Sequence, residues 1–370
     1  MSGPKAHEWI EQLTPYKPGD SKLAGQERVV KLSANESAFG ISEAALKAAA
    51  AAADGTRYKD STCLKPREAI ADIYDLDKDR IVCGNGSDEL LMLLARAFAG
   101  PGDEVIYCRP GFMLYPLAAK AVGAVGVEVA LAGDEISVDA ILAAVTPRTK
   151  LVYIDNPNNP VGTLLTGDEL RRLHAGIPSE AILVVDAAYA ESVTDPAYDD
   201  GSALVDQFEN VVMTRTFSKL YAMAGLRFGW IYCPSHIADI LNRLRDPYNV
   251  SGPAQAAAAA AVQDTDHLKA AQDYTANWRD DLTARLVSMG LRVVPSQTNF
   301  LLVEFPSETG STAEEANAWL RKNGYILRWL PEQGLSNYLR LTIGTPEQNN
   351  GVIQLLREFM DGSGHLGESL

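Results

Sequence analysis

The pattern of apolar and polar residues predicts short buried strands that alternate with helices along the first two thirds of the chain. There are seven short runs, and most of them are rich in Val and Ile and lack clean alternation, as strands buried on both faces do. These runs are Arg80–Cys83, Glu104–Tyr107, Gly126–Ala130, Lys150–Ile154, Ile182–Val185, Val211–Thr214 and Gly229–Cys233. Helical patterns between them include Asp88–Phe98, Tyr115–Ala121 and Thr166–Ala175. The alternation predicts an α/β fold with a mostly parallel sheet covered by helices.

The pattern changes after about residue 263. Long helical stretches follow, at His267–Met289, Thr312–Asn323 and Pro346–Phe359. Separate strand-like runs lie beside them, at Arg292–Val294, Phe300–Glu304, Ile326–Leu327 and Tyr338–Thr342. This predicts a smaller α+β domain, onto which we expect the segment before Ala44 to pack. The expected division is a large domain of residues 44–263 and a small domain of residues 1–43 plus 264–370.

Composition narrows the classes of partner. The chain has 370 residues, 46% of them hydrophobic and 22% charged, and a formal net charge of −15. This negative charge argues against nucleic acid and anionic membranes as binding partners, because proteins bind both through basic patches. No run approaches the roughly 20 apolar residues of a membrane span.

The four cysteines are far apart in the sequence, at Cys63, Cys83, Cys108 and Cys233. They form no CxxC or Cys/His cluster, so we expect no metal site. Buried free thiols in a reducing cytoplasm are the expected state.

The most informative string runs from Thr214 to Lys219 and is followed by Arg227. A lysine amine can form a Schiff base with an aldehyde. The hydroxyls of Thr216 and Ser218, together with the guanidinium of Arg227, can hold a phosphate dianion. Pyridoxal phosphate combines both features. The alternative is a surface lysine after a strand.

Other strings suit the same cofactor. Gly84–Glu89 follows a strand and opens a helix, whose free N–H groups can bind an anion, although Ser87 could also be a plain N-cap. Asp186 ends a buried strand, where its carboxylate could keep a pyridine nitrogen protonated; it could also cap the next turn. Tyr189 and Asn159, the latter in a rigid Pro-rich loop, could donate to the ring oxygen O3′.

Two arginines near the C-terminus complete the candidate site. Arg340 lies in an alternating strand, and Arg328 follows an apolar run. An arginine fork suits a carboxylate or phosphate, although a lone strand arginine is usually a surface residue.

Taken together, the strings resemble the fold-type I pyridoxal-phosphate enzymes of the aspartate aminotransferase superfamily, and most closely the histidinol-phosphate aminotransferase family. The matching strings are Lys31–Glu36, Gly84–Glu89, Asn156–Thr163, Asp186–Tyr189, Thr214–Lys219 and Leu339–Thr345. They extend over nearly the whole chain.

The resemblance implies a role for each matching residue. Lys219 is the Schiff-base lysine and proton shuttle, Asp186 pairs with the pyridine nitrogen, and Tyr189 contacts O3′. The implied cofactor contacts are Ser87, Asp88, Phe112, Asn159, Asp186, Tyr189, Thr216, Ser218, Lys219, Arg227 and, from the neighbouring subunit of a homodimer, Tyr58. The implied substrate contacts are Tyr16, Asn35, Arg328 and Arg340.

Three departures from the family pattern bear on substrate identity. The sequence has Ser37-Ala38 after Asn35-Glu36, Lys59 after Tyr58, and Phe112 where a stacking tyrosine is common. The resemblance implies transamination between histidinol phosphate and 2-oxoglutarate or glutamate. Aromatic amino-acid transamination is the alternative, followed by decarboxylase or C–S lyase chemistry. A pyridoxal-phosphate-binding regulator would add a DNA-binding module, for which the chain has no spare segment or basic patch.

Overall fold

A computed structural model of the chain describes residues 3–13, 19–26 and 28–362. Strands β1–β13 are Val30–Lys31, Ile81–Gly84, Glu104–Arg109, Val125–Ala130, Thr149–Asp155, Ile182–Asp186, Val211–Thr216, Gly229–Tyr232, Arg292–Val293, Phe300–Glu304, Tyr325–Ile326, Arg328–Leu330 and Leu335–Thr342. Helices α1–α13 are Glu8–Glu11, Glu43–Ala51, Leu64–Tyr74, Ser87–Phe98, Leu114–Ala121, Val138–Ala144, Gly167–Ala175, Ser202–Gln207, Ser235–Leu244, Gly252–Gln263, Thr265–Ser288, Ala313–Lys322 and Pro346–Met360.

The large sheet has seven strands in the order β2-β8-β7-β6-β5-β3-β4. Strands β3 to β7 run parallel to their neighbours within that group, and β8 runs antiparallel to both β2 and β7. The expectation of a mostly parallel sheet covered by helices is therefore confirmed. The strands extend past the expected ends, so that β6 includes Asp186 and β7 includes Thr216.

Residues along each central strand alternate between two apolar clusters on opposite faces of this sheet. Val152 of β5 and Leu183 of β6 belong to one cluster, whereas Leu151 and Val184 belong to the other. The central strands β5, β6 and β7 are buried on both faces, whereas the edge strand β4, at the run Gly126–Ala130, is mostly exposed. Burial on both faces is why the central strands read as unbroken apolar runs in the sequence.

A second group of elements follows the large sheet in sequence. Strands β12, β13, β10 and β9 form an antiparallel sheet, which packs with α11, α12 and α13 around residues such as Leu282, Leu301 and Phe359. Strand β1 pairs in parallel with β11, so this part of the N-terminal segment lies with the later elements. Trp9 of α1, by contrast, lies beside Gly123 next to the large sheet. The division into residues 44–263 and the remainder stays a prediction.

The run expected as a strand at Ile326–Leu327 is divided differently in the structure. Strand β11 ends at Ile326, and a separate strand, β12, begins at Arg328. The chain changes partner at Leu327, from the short β1–β11 ladder to the β12–β13 ladder. Arg328 is therefore a strand residue paired directly with Arg340.

None of the helices in the described part of the chain is long and apolar enough to cross a bilayer. The same residues hold no group of three or more His, Cys, Asp or Glu arranged to bind a metal ion. All four cysteines are buried and free.

Candidate active site

A cavity of about 560 Å³ lies at the carboxyl ends of β5, β6 and β7. Ligands of open parallel sheets bind at this edge, because the loops that leave neighbouring strands converge there. Most of the residues singled out from the sequence line it. They are Asn35, Ser87, Asp88, Phe112, Asn159, Asp186, Tyr189, Thr216, Ser218, Lys219, Arg227, Arg328 and Arg340.

Asp186 lies buried at the floor of the cavity. Its Oδ2 accepts a hydrogen bond from the hydroxyl of Tyr115 at 2.9 Å, and its Oδ1 accepts one from Thr214 at 2.9 Å. Burial raises the pKa of this carboxyl to about 6, although both hydrogen bonds and the charge of Lys219 act in the opposite direction. The carboxylate is thus fixed in direction and ready to pair with a cation or an acidic N–H.

A second carboxylate, Asp155, lies beside it on β5, directly opposite Asp186 in the strand register. Its two oxygens accept hydrogen bonds from Asn158 Nδ2 at 3.0 Å and from the backbone N–H of Asn159 at 2.9 Å. Burial raises its pKa to about 7. Asp155 therefore shapes the loop that carries Asn159, a role the sequence did not reveal.

Lys219 follows β7 after a short turn and lines the cavity. Its Nζ lies 5.3 Å from the centre of the Tyr189 ring. The preceding Phe217 is fully buried and stacks on Tyr221 with a centroid distance of 4.2 Å, which anchors the turn. The amine is thus held above the sheet edge rather than at the protein surface.

The end of the cavity near Lys219 is an anion cradle. Thr216 Oγ1 donates to Ser218 Oγ at 3.0 Å, and Arg227 Nη1 donates to the same oxygen at 3.1 Å. Helix α4 begins at Ser87 with Gly86 as its N-cap, and no side chain in the described part of the chain caps its first N–H groups. The N-cap alternative considered for Ser87 is therefore wrong, because that serine already belongs to the helix.

Gly86 is required by the shape of this cradle. Its φ is +87°, and a Cβ atom there would lie 2.3 Å from Arg227 Nη2. Arg227 also pairs with Asp88 at 3.4 Å, so the Asp88 carboxylate is neutralised beside the cradle. A positive guanidinium, hydroxyls and uncapped helix N–H groups together suit a phosphate.

Asn35 and Tyr189 form a buried pair on one wall. Asn35 Nδ2 donates to the Tyr189 phenol oxygen at 2.8 Å. The Asn35 amide oxygen accepts from Thr342 Oγ1 at 3.1 Å, which fixes the amide orientation. The phenol oxygen is therefore an acceptor toward Asn35, and its own hydrogen can be donated to a ligand.

Arg340 is buried, contrary to the usual exposure of a lone strand arginine. Its Nη1 donates to Asn159 Oδ1 at 2.6 Å and its Nη2 to the backbone carbonyl of Ser33 at 2.8 Å. Arg328 is more open, with Glu332 Oε1 at 3.7 Å from its Nη2. Both guanidinium groups border the same cavity.

One candidate residue among those described, Tyr58, does not line this cavity. Tyr58 is 82% exposed and stacks on Tyr248 with a centroid distance of 4.4 Å. Tyr16 lies outside the described residues.

Sequence reasoning missed Tyr115, Thr214, Asp155 and Gln333. Thr214 and Asp155 carried a detectable signal, since both are polar residues near the carboxyl end of a predicted strand. Tyr115 had none, because it lies inside helix α5, 71 positions before the carboxylate that it contacts.

Comparison with known proteins identifies the family. The model of the family described as aminotransferase class I and II matches residues 27–356. This chain belongs to the class I and II aminotransferases. Its relatives include a protein of Rhodopseudomonas palustris (strain TIE-1) named histidinol-phosphate aminotransferase, which is 49% identical over 97% of this chain and 99% of the relative.

Other members of the aminotransferase family agree with this match. A histidinol-phosphate aminotransferase of Paramagnetospirillum magneticum is 46% identical over 97% of this chain and 99% of its own length. The solved structure of the Sinorhizobium meliloti histidinol-phosphate aminotransferase, in complex with pyridoxal-5′-phosphate, superposes with a TM-score of 0.89 at 27% identity, over 98% of this chain and 99% of that one.

Proposed function

We propose that this aminotransferase binds pyridoxal phosphate and exchanges the amino group between histidinol phosphate and 2-oxoglutarate or glutamate. The observation that carries the proposal is the position of Lys219, in one cavity with a buried carboxylate, Asp186, and an anion cradle. The names of the relatives support the substrate, and the solved relative supports the cofactor.

The residues present fit that cofactor. The cradle at Ser218 and Arg227 would hold its phosphate, and Asp186 would pair with its ring nitrogen. Tyr189 and Asn159 would donate to its ring oxygen, because the Asn159 carboxamide oxygen is already bonded to Arg340. When bound, pyridoxal phosphate supplies an aldehyde for the amines and a ring that accepts electrons from the substrate α-carbon.

Lys219 Nζ is the group that would bind the cofactor aldehyde. The same Nζ would act as the base that takes the proton from the substrate α-carbon. Asp186 would stabilise positive charge on the ring nitrogen, since its carboxylate is fixed by Tyr115 and Thr214. This pairing would also keep Asp186 ionised despite its raised pKa.

The two arginines would recognise the anionic groups of the two substrates. Glutamate carries an α-carboxylate, which suits Arg340 beside Asn159. Histidinol phosphate carries a phosphate at its far end, which suits the more open Arg328. One cavity could accept both substrates in turn, because both arginines border it.

A homodimer belongs to the same proposal. Tyr58 and Tyr248 form a stacked aromatic pair at the surface of the single chain, away from its own cavity. By family resemblance, Tyr58 would border the cofactor phosphate of the partner subunit. The burial of all four free thiols supports a cytoplasmic location.

A substrate screen tests the function. The enzyme loaded with pyridoxal phosphate is mixed with 2-oxoglutarate and one amino donor, and glutamate formation is measured. Histidinol phosphate should give the highest kcat/KM. Higher values with phenylalanine or tyrosine would favour the aromatic alternative, and release of CO₂ or of a thiol without glutamate would favour decarboxylase or lyase chemistry.

A further inference from the structure

Gln333 lines the cavity from the same hairpin as the two arginines. Strand β12 begins at Arg328, a short turn spans Pro331–Gln333, and β13 carries Arg340. Gly334 closes the turn with a φ of +80°. The hairpin therefore places Gln333 in the lining of the cavity, between Arg328 and Arg340 in the sequence.

The position of Gln333 is held from both sides. The carbonyl of the preceding Glu332 accepts a hydrogen bond from Arg109 Nη2 at 2.7 Å, which ties the turn to the large sheet. Leu330 and Leu335 on either side are buried in one apolar cluster. The amide is thus placed by packing, as a specificity group needs to be.

The amide oxygen has no partner among the described residues. The Gln333 side chain belongs to a residue only 8% exposed, and its Oε1 is buried without a hydrogen bond. A buried acceptor left unpaired is costly, so it points to a ligand that brings a donor.

We infer that Gln333 Oε1 accepts a hydrogen bond from the ring N–H of an imidazole-bearing amino donor, which makes Gln333 a determinant of substrate choice. This inference rests on the proposed function. Histidinol phosphate has donors on its amine and its ring. The amine must reach the cofactor near Lys219. The phosphate dianion has only acceptor oxygens and no hydrogen to donate. The ring N–H is the donor that remains.

A phenyl ring of the same flat shape brings no donor. It would leave Oε1 unpaired in the filled cavity, and sites built to hydrogen-bond a substrate discriminate strongly against analogues that lack the group. Gln333 therefore discriminates between imidazole and phenyl substrates. The two arginines recognise only the anionic groups of the substrates.

The test compares two enzymes on two substrates that share amine and phosphate. Wild type and Gln333→Met, both loaded with pyridoxal phosphate, are assayed with histidinol phosphate and with phenylalaninol phosphate. The variant should lose about 10- to 100-fold in kcat/KM on histidinol phosphate, mainly through KM, and should lose little or gain on phenylalaninol phosphate. Gln354→Met, at an exposed position of α13, is the matched control.

Equal losses on both substrates, or no loss on either, would overturn the inference. If wild type uses phenylalaninol phosphate but not histidinol phosphate, the proposed function itself fails. Gln333→Leu provides a second apolar variant should Gln333→Met fold poorly, with thermal unfolding and cofactor absorbance as checks on the fold.

Discussion

Arg328 and Arg340 lie directly opposite each other on the antiparallel strands β12 and β13. Directly opposed residues point to the same face of a sheet, with Cβ atoms about 4.5–5.5 Å apart. Two like charges in that arrangement repel unless each has its own partners. Arg340 is bonded to Asn159 and to the Ser33 carbonyl, whereas Arg328 has Glu332 nearby.

This arrangement predicts different substrate effects for the two arginines. Arg328→Ala should raise KM for histidinol phosphate about 10-fold or more and change that for phenylalanine or tyrosine much less, because a phosphate dianion needs more than one charged donor. Arg340→Ala should lower kcat/KM for glutamate and for the aromatic amino acids alike, because all of them carry an α-carboxylate. Steady-state kinetics of both variants on both substrate types provide the measurement.

Arg243→Ala is the control for these arginines, since Arg243 is exposed and pairs with Asp239 one helical turn away. Equal losses from Arg328→Ala on phosphorylated and phenyl substrates would reject its phosphate role.

Lys219→Ala should lower turnover by about three orders of magnitude or more while the thermal unfolding temperature changes little. The variant lacks the only amine that the proposal places at the reacting carbon. Transamination without added amine is the assay, and Lys47→Ala, at an exposed helix position, is the control. Near-normal activity of Lys219→Ala would reject the cofactor assignment.

Tyr115→Phe should move the acidic limb of the pH–kcat/KM profile to higher pH. The Tyr115 hydroxyl donates to Asp186 and lowers the pKa of that carboxyl, so its removal raises the pKa. Asp186 must be ionised to pair with the ring nitrogen. As the pH falls, the variant should therefore lose activity at a higher pH than the wild type does.

Tyr153→Phe is the matched control, because Tyr153 stacks on Tyr115 but donates to the Leu91 carbonyl. An unchanged acidic limb in Tyr115→Phe would show that this hydroxyl does not act through Asp186. Asp186→Asn itself should retain some cofactor binding and lose about 100-fold or more in kcat.

Gly86→Ala should weaken cofactor binding about 10-fold or more. A Cβ atom at Gly86 would collide with Arg227 Nη2, in addition to the strain of a positive φ. Gly133→Ala separates the two effects, because Gly133 also has a positive φ, of +66°, but has open space around it. Cofactor titration of both variants is the test, and similar affinities would reject the role of Gly86 in the cradle.

Asp155→Asn should change how stability depends on pH. Burial raises the pKa of Asp155 from 3.8 to about 7, so between these values the folded state holds more protons than the unfolded state. The free energy of unfolding from this group therefore falls as pH rises through that window. Between pH 4 and pH 7 the wild type should lose on the order of 3 kcal/mol of unfolding free energy relative to the variant, at about 1.4 kcal/mol per pKa unit.

Urea unfolding of the cofactor-free proteins at several pH values measures this difference. Asp168→Asn is the control, because the Asp168 side chain is 92% exposed. A difference between wild type and Asp155→Asn that does not vary with pH would show that Asp155 has the same pKa in both states.

The local part of the site could be predicted from sequence. Lys219, Asp186 and Ser87 each stand just after or at the end of an apolar run, and the carboxyl ends of parallel strands meet at one edge. The exposure of Arg340 could not be predicted, since an alternating strand does not reveal what covers it. The environment of Tyr58 was equally undetermined, because its stacking partner, Tyr248, is distant in sequence.

By itself the sequence determined the order of strands and helices, the mostly parallel sheet and the strings that match the aminotransferase family, because periodicity and local residue chemistry act over a few neighbouring positions. Only the tertiary structure decided which distant side chains meet. Tyr115 reaches Asp186, Arg340 reaches Asn159, and Gln333 faces the cavity through the packing of separate elements. Those contacts depend on crossing geometry and burial, which no single stretch of sequence encodes.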